Sequence, residues 1–305
     1  MKETNTAKTY ASLREAVEDC FGASARITHT EHLHGGDISD AFRVRLSTGD
    51  LLFLKTNALS RRDLFLTEAA GLQALGTPGE IGVPRVLGTG TDPEQGISFL
   101  ALEYLDGAPP VPSYWEIFGH QLAALHRADC HLFTPSGKYG FSMDNYIGSS
   151  PQKNIPSETW TDFYRNCRLQ PQFAMAWHYL DDSARKSAEY LLEHLDAFLR
   201  EPEFSSLLHG DLWSGNVLRG PDGLAWLIDP AACVGDFEAD LAMTRLFGGF
   251  PESFYAAYRE INPPDPCGLD QRRDLYQLYH LLNHLNLFGA AYLGSVLDIL
   301  RRYGR

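Results

Sequence analysis

Apolar residues recur at helical spacing over residues 62–75, where Leu64, Phe65, Ala69, Leu72 and Leu75 mark one face before Gly76 and Pro78 end the run. Just upstream the period is two. Residues 41–46 alternate, a Thr48-Gly49-Asp50 turn follows, and Leu51-Leu52-Phe53-Leu54-Lys55 reads as a second strand, so the pair predicts a hairpin. Residues 12–20 add a helical pattern, and Val86-Leu87-Gly88 and residues 97–102 add two candidate strands around the turn-rich 91–96. After Glu103-Tyr104-Leu105-Asp106-Gly107 the character changes. The Pro-rich stretch 108–112 reads as a linker, and candidate helices follow at 115–128, 159–170, 184–199, 239–247, 252–260, 272–288 and 291–302. Within this second part only 207–229 reads as strand. The pattern predicts an α+β chain: a small antiparallel-sheet lobe at 1–102, a hinge at 103–107 and a larger, mainly helical lobe at 108–305.

Composition narrows the function classes. A net charge of −13 argues against a nucleic-acid binder, which would carry a basic face. An acidic surface would instead favour cationic, amine-bearing substrates. The five cysteines are scattered, odd in number and without paired CxxC spacing, which fits free thiols in a reducing cytoplasm and neither a disulfide framework nor a zinc site. Residues 1–10 lack the apolar core of a signal peptide, and no apolar run approaches the roughly 18 residues needed to span a bilayer. A cytoplasmic protein with no membrane or nucleic-acid partner is expected, as a monomer or weak dimer.

The densest chemistry lies in Leu207-Leu208-His209-Gly210-Asp211-Leu212-Trp213-Ser214-Gly215-Asn216-Val217-Leu218 and the following Ala225-Trp226-Leu227-Ile228-Asp229. Asp211, Asn216 and Asp229 stand at the ends of short apolar runs. Kinase-type phosphoryl transfer uses such a trio: a carboxylate to accept a hydroxyl proton, and an amide with a second carboxylate to hold Mg²⁺. The plain alternative is a turn whose Asp and Asn bond local backbone. Lys55, ending an apolar strand, and Glu68, on the next helix, fit the ion pair that grips the α- and β-phosphates of ATP, or else are an exposed pair of little consequence. Gly35 and Gly36 precede the hairpin, where a glycine pair lets backbone N–H groups approach phosphate oxygens, as it also would in an ordinary turn. Neither a Walker phosphate loop nor a Rossmann glycine fingerprint is present. Glu103, Tyr104 and Leu105 follow a strand where backbone groups could meet an adenine edge, or simply link two lobes. His209 is either a base or a buried residue that orients the loop. Ser214 lacks the strand-to-helix elbow of a hydrolase nucleophile. His280 and His284 are spaced i, i+4 without the rest of a zinc motif.

These residues resemble a known family. HGDLWSGN at 209–216, the strand ending in Asp229-Pro230-Ala231, Gly235-Asp236-Phe237-Glu238-Ala239-Asp240-Leu241 and Leu246-Phe247-Gly248-Gly249-Phe250 look like the fructosamine/ketosamine kinases, a branch of the aminoglycoside-phosphotransferase-like kinases. The likeness extends through residues 53–57, 140–154, 160–170, 254–258 and 275–284, nearly the whole chain. It implies a bilobal protein-kinase-like fold and ATP- and Mg²⁺-dependent phosphorylation of a sugar hydroxyl, typically O3 of a ketosamine on a small amine or a glycated protein. The product would then break down and free the amine, a deglycation repair. By position, the resemblance implies Asp211 as proton acceptor and Asn216 and Asp229 as metal ligands. Lys55 with Glu68 would hold the phosphates, and Glu103–Leu105 would bind adenine. Trp213 is implied as a sugar wall or a packing cap, with Asp236 and His284 as sugar contacts. Another acceptor, such as an aminoglycoside or choline, and a non-catalytic ATP-binding regulator remain the alternatives. Asp37 stands where some relatives carry a glycine-loop cysteine, so a disulfide-linked dimer through that loop is not expected.

Overall fold

The computed structural model describes residues 7–33, 38–134 and 137–304. Numbered along the chain, the strands are β1 (Thr9–Tyr10), β2 (Ile27–Leu33), β3 (Asp40–Leu46), β4 (Leu51–Ala58), β5 (Val86–Asp92), β6 (Ile97–Glu103), β7 (Asn145–Ile147), β8 (Ser150–Gln152), β9 (Ser206–Leu208), β10 (Val217–Arg219), β11 (Ala225–Leu227) and β12 (Cys233–Gly235). The α-helices are α1 (Leu13–Phe21), α2 (Arg62–Gly76), α3 (Tyr114–Arg127), α4 (Trp160–Tyr164), α5 (Gln170–Ala176), α6 (Asp182–Glu193), α7 (Glu238–Leu246), α8 (Glu252–Ile261), α9 (Leu269–Phe288) and α10 (Leu293–Tyr303). Two compact units result: Met1–Tyr114 with Val217–Pro230, and Trp115–Asn216 with Ala231–Arg305.

In the first unit six strands form one sheet in the order β1-β5-β6-β4-β3-β2, antiparallel except where β1 meets β5. Successive strand residues point to opposite faces, and the two faces have different covers. Leu52 and Leu54 of β4 join Phe99 and Ala101 of β6 and Leu13, Ala16 and Val17 of α1. The intervening Leu100 and Leu102 of β6, with Phe53 of β4, pack on Phe65, Ala69 and Leu72 of α2. Lys55 shares the face of Phe53 and lies opposite Leu100 in the ladder, so the pleat turns it toward α2. Each buried Leu or Phe contributes roughly 1.5–3 kcal/mol. The apolar contact of α2 with β6 therefore fixes the helix, and with it Glu68, without help from any ion pair.

The predicted hairpin is β3–β4. β2 was not foreseen because six of its seven residues are exposed, so Thr28, His29, Thr30, Glu31 and His32 leave no two-residue apolar period to read. The β10–β11 hairpin belongs to this first unit. Trp226 forms a bridge with Gly82, and the stretch read as a linker is tied down, Ala108 N–H donating to the Gly220 carbonyl at 3.0 Å and Val111 N–H to that of Gly223 at 3.2 Å.

The second unit is built around α9, whose Leu275, Leu278, Leu282 and Leu285 form one stripe of a core shared with Trp160, Phe163, Phe173, Val296 and Leu300. The helical stretch read at 159–170 is α4, a single wider turn at Arg165–Leu169 and the start of α5. Strand content here exceeds the expectation. β7 pairs with β8, and β9 pairs with β12 through Leu208 opposite Cys233. At three residues each, these strands are too short for an alternation to register. No helix among the described residues is long and apolar enough to cross a membrane.

Candidate active site

In the first unit Lys55 Nζ lies 2.8 Å from Glu68 Oε1 and also pairs with the carboxylate of Asp229, which follows β11. The Lys55 and Glu68 side chains are only 13% and 17% exposed, so this is a largely desolvated cluster rather than a surface pair. Burial alone would lower the Lys55 pKa, but Asp229 and Glu68 together raise it above its ordinary value, and the ammonium stays charged. Burial pushes the Glu68 carboxyl up; Lys55 pulls it back only in part, and Asp229 adds to the rise. One ammonium thus faces two carboxylates. The surplus negative charge suits a cation, and the fixed ammonium suits a phosphate oxygen. Asp229 also adopts a left-handed backbone, φ 55°, one of two such non-glycine residues among the described residues. That conformation costs a non-glycine residue on the order of 1–3 kcal/mol and clusters at functional sites.

Glu103, at the end of β6, exchanges bonds with Arg85. Its N–H donates to the Arg85 carbonyl at 3.0 Å, and its side chain accepts from the Arg85 N–H at 2.7 Å. Tyr104 lies beneath the Arg43 guanidinium, 5.4 Å from ring centre to Cζ, and Glu103, Tyr104 and Leu105 are all half-buried. Gly35 and Gly36 lie outside the described residues.

In the second unit the loop after β9 is held by its backbone. Asp240 of α7 is 1% exposed and accepts from the N–H of His209 at 2.8 Å and of Gly210 at 2.9 Å. Its third partner is His126 Nε2 at 3.2 Å, and Tyr258 OH is 2.7 Å from His126 Nδ1. Because a carboxylate only accepts, Nε2 carries the proton and Nδ1 can take the Tyr258 hydroxyl. Gly210 has φ 82°, and a Cβ there would sit 2.1 Å from the Ala231 carbonyl, so no other residue fits. His209 is fully buried; its Nδ1 accepts from the Asp211 N–H at 3.2 Å. Between base and loop-orienting residue, this geometry assigns His209 to the loop.

The chain then turns so that the Asn216 amide nitrogen donates to the Asp211 carbonyl at 2.8 Å and to the Asp211 carboxylate at 3.3 Å. The amide oxygen of Asn216 takes no part in either bond. The Trp213 indole folds over Gly215, where a Cβ would come within 2.2 Å of the ring, yet Trp213 remains 39% exposed. It meets Phe247 edge-on at 6.3 Å, and Phe247 in turn lies 4.9 Å from the His284 ring. His284 Nδ1 is 2.8 Å from the His280 carbonyl, and burial lowers its pKa.

Family membership follows from a match along the chain. The family model for fructosamine kinase matches residues 9–304. The chain belongs to the fructosamine kinase family. It is 35% identical to a probable ketoamine kinase of Synechocystis, covering 98% of both chains. It is 37% identical to the chloroplastic protein-ribulosamine 3-kinase of Oryza sativa subsp. indica, over 93% of this chain and 81% of that one. A crystal structure from Thermobifida fusca, of a protein named for fructosamine-3-kinase activity, superposes with a TM-score of 0.80 at 37% identity, covering 96% of this chain and 98% of the other. An aminoglycoside phosphotransferase in complex with ADP and hygromycin B shares the fold at 19% identity, with a TM-score of 0.60 over 95% and 98% of the two chains. The bilobal, protein-kinase-like α+β fold is thereby established, and the chain is a phosphotransferase acting on a sugar hydroxyl.

Within this fructosamine kinase fold one expected sugar contact is reassigned. Asp236 is 1% exposed, with Oδ1 accepting the Glu238 N–H at 3.0 Å and Oδ2 the Tyr276 hydroxyl at 2.7 Å. Its oxygens bond the start of α7 and α9, and at this burial neither is open to a sugar. Sequence reading passed over Asp240, His126 and Tyr258, whose roles depend on contacts between residues far apart in the chain.

Proposed function

We propose that this kinase uses ATP and Mg²⁺ to phosphorylate the O3 hydroxyl of fructosamines or ribulosamines, carried on free amines or on proteins, as a deglycation activity of the cytoplasm. The observation that carries the reading is the largely buried Lys55–Glu68 pair, with the more exposed Asp229 beside it, in a chain whose loop also presents Asp211 and Asn216. Lys55, held by Glu68, binds phosphate oxygens. The backbone of Glu103–Leu105 receives adenine, and Gly35 and Gly36 cover the phosphates. Asp211 accepts the acceptor hydroxyl's proton as the oxygen attacks the terminal phosphorus, the bond from that phosphorus to the bridging oxygen breaks, and ADP leaves.

The donor set fits Mg²⁺. Asp229 offers a carboxylate and Asn216 an amide oxygen, both hard ligands, and no cage of three or more His, Cys, Asp or Glu exists among the described residues. An ion that keeps phosphate and water ligands beside one or two protein groups matches that provision. When bound, it supplies charge neutralisation at the phosphoryl group. Trp213 and His284 line the acceptor side in this reading.

The deciding experiment is ADP release with Mg·ATP across fructosyl-lysine, fructosyl-glycine, ribulosyl-lysine, an aminoglycoside and choline. Turnover of a ketosamine with the phosphate mapped to O3 is expected. Turnover of the aminoglycoside or choline with none on any ketosamine would overturn the reading.

A further inference from the structure

His280 is a buried polar group close to Asp211 whose chemistry is still unassigned. It sits on α9, 4% exposed, and its Nδ1 has no hydrogen-bond partner among the described residues. That atom lies 3.8 Å from Asp211 Oδ1, beyond direct hydrogen-bond range. We propose that His280 Nδ1 binds the acceptor sugar, at the oxygen next to the hydroxyl that Asp211 deprotonates. This rests on the reading of Asp211 as proton acceptor for a ketosamine.

Three features carry it. Buried polar atoms are almost always paired, because an unpaired one forfeits its hydration, so an orphan beside a reactive carboxylate marks a place that a ligand completes. A gap of 3.8 Å suits two oxygens on adjacent sugar carbons, each at about 2.8 Å from its own protein atom. The ring is also held beforehand, with Tyr279 packed edge-on at 5.1 Å.

The charge state agrees with this geometry. Burial, with His284 nearby, holds the imidazole far below its ordinary value, at about 3, so it is neutral at any working pH. A charged ring would pair with Asp211 and weaken it as a base. A neutral ring leaves Asp211 basic and can donate to, or accept from, a sugar oxygen.

The test compares wild type with His280→Asn, His280→Gln and His280→Leu under Mg·ATP and fructosyl-lysine. The Asn amide stands as many bonds from Cβ as Nδ1 does, whereas the Gln amide reaches the Nε2 position. His280→Leu and His280→Gln are expected to lose about 30-fold in kcat/KM for the acceptor, and His280→Asn no more than about 5-fold. KM for ATP should stay unchanged, which a merely structural role would not allow. The proposal is overturned if His280→Leu stays within about 3-fold of wild type, if Gln rescues as well as Asn, or if KM for ATP moves in step. Should His280→Leu fail to fold, the Asn–Gln contrast decides, together with a wild-type assay on an acceptor lacking the neighbouring hydroxyl. That acceptor should lose a similar factor and become insensitive to His280→Gln; additive losses would refute the contact. Wild type without ketosamine turnover sinks the acceptor reading and this proposal together. Active wild type with unaffected variants sinks this proposal alone.

Discussion

Replacing Asp240 by Asn removes one charge, changes no volume, and tests what positions Asp211. Oδ2 of Asp240 accepts from His209 N–H and His126 Nε2, and Oδ1 accepts from Gly210 N–H. A carboxamide has one oxygen and one NH₂ group. In its better rotamer the oxygen keeps the first two bonds, and the NH₂ confronts the Gly210 N–H, donor against donor. Leaving that N–H unpaired costs about 1–3 kcal/mol, and loss of charge assistance costs about 1 kcal/mol at each of the other two bonds. The sum, about 3–5 kcal/mol, is a large share of the ~5–15 kcal/mol that holds a domain folded. Because the lost bonds fix the backbone before Asp211, displacement of the carboxylate should also lower kcat by about 10²-fold, with KM for ATP unchanged. Urea denaturation and ADP release at saturating ATP measure the two effects. A stability loss below about 1 kcal/mol with kcat within about twofold would refute the reasoning.

Three further expectations can be read with the same assays. Asp211→Asn should lower kcat by about 10²-fold or more, the lower range for a positioned proton acceptor, while its unfolding midpoint stays near wild type; near-normal turnover would contradict the assignment. Lys55→Met leaves Glu68 and Asp229 facing each other without a cation, so KM for ATP should rise and kcat/KM fall by at least about 10²-fold; unchanged KM for ATP would count against Lys55 as the phosphate ligand. Burial, and next the Glu238 charge, push Asp236 up to about 6, and an acid raised in the folded state stabilises below its unfolded value, near 3.9, and loses that contribution as pH rises through about 6. Asp236→Asn should therefore remove a fall of about 1–3 kcal/mol in unfolding free energy between pH 4 and pH 7; a variant-minus-wild-type difference constant over that range would refute it.

What could be read from the chain beforehand follows from how local each signal is. Helices α2, α8 and α9 declare themselves through apolar stripes that bury one face, β3 through a period of two and β4 through a short apolar run after a turn, because each pattern is local in the chain. Asp211 and Asn216 are legible for the same reason: the amide bonds back to the residue five positions earlier. Asp236 was misread although its signal was local. An Asp just ahead of a helix that starts at Glu238 is placed to meet one of the helix's free N–H groups, and the Glu238 N–H does donate to its side chain.

Asp240 is the opposite case. Inside α7 it reads as an ordinary helix acid, and only the approach of a loop thirty residues upstream gives it two backbone donors. His280 has the same character on α9, where it lies off the Leu278–Leu282 stripe as a buried polar group whose significance depends on Asp211 lying 3.8 Å away. The groups proposed to react are thus carried by short motifs, while the residues that set their position are supplied by helices distant in sequence. Their cost to the fold is the clue that sequence lacks: a buried carboxylate is tolerated because it is fully bonded, and a buried unpaired imidazole because, on the reading proposed here, an acceptor oxygen completes it.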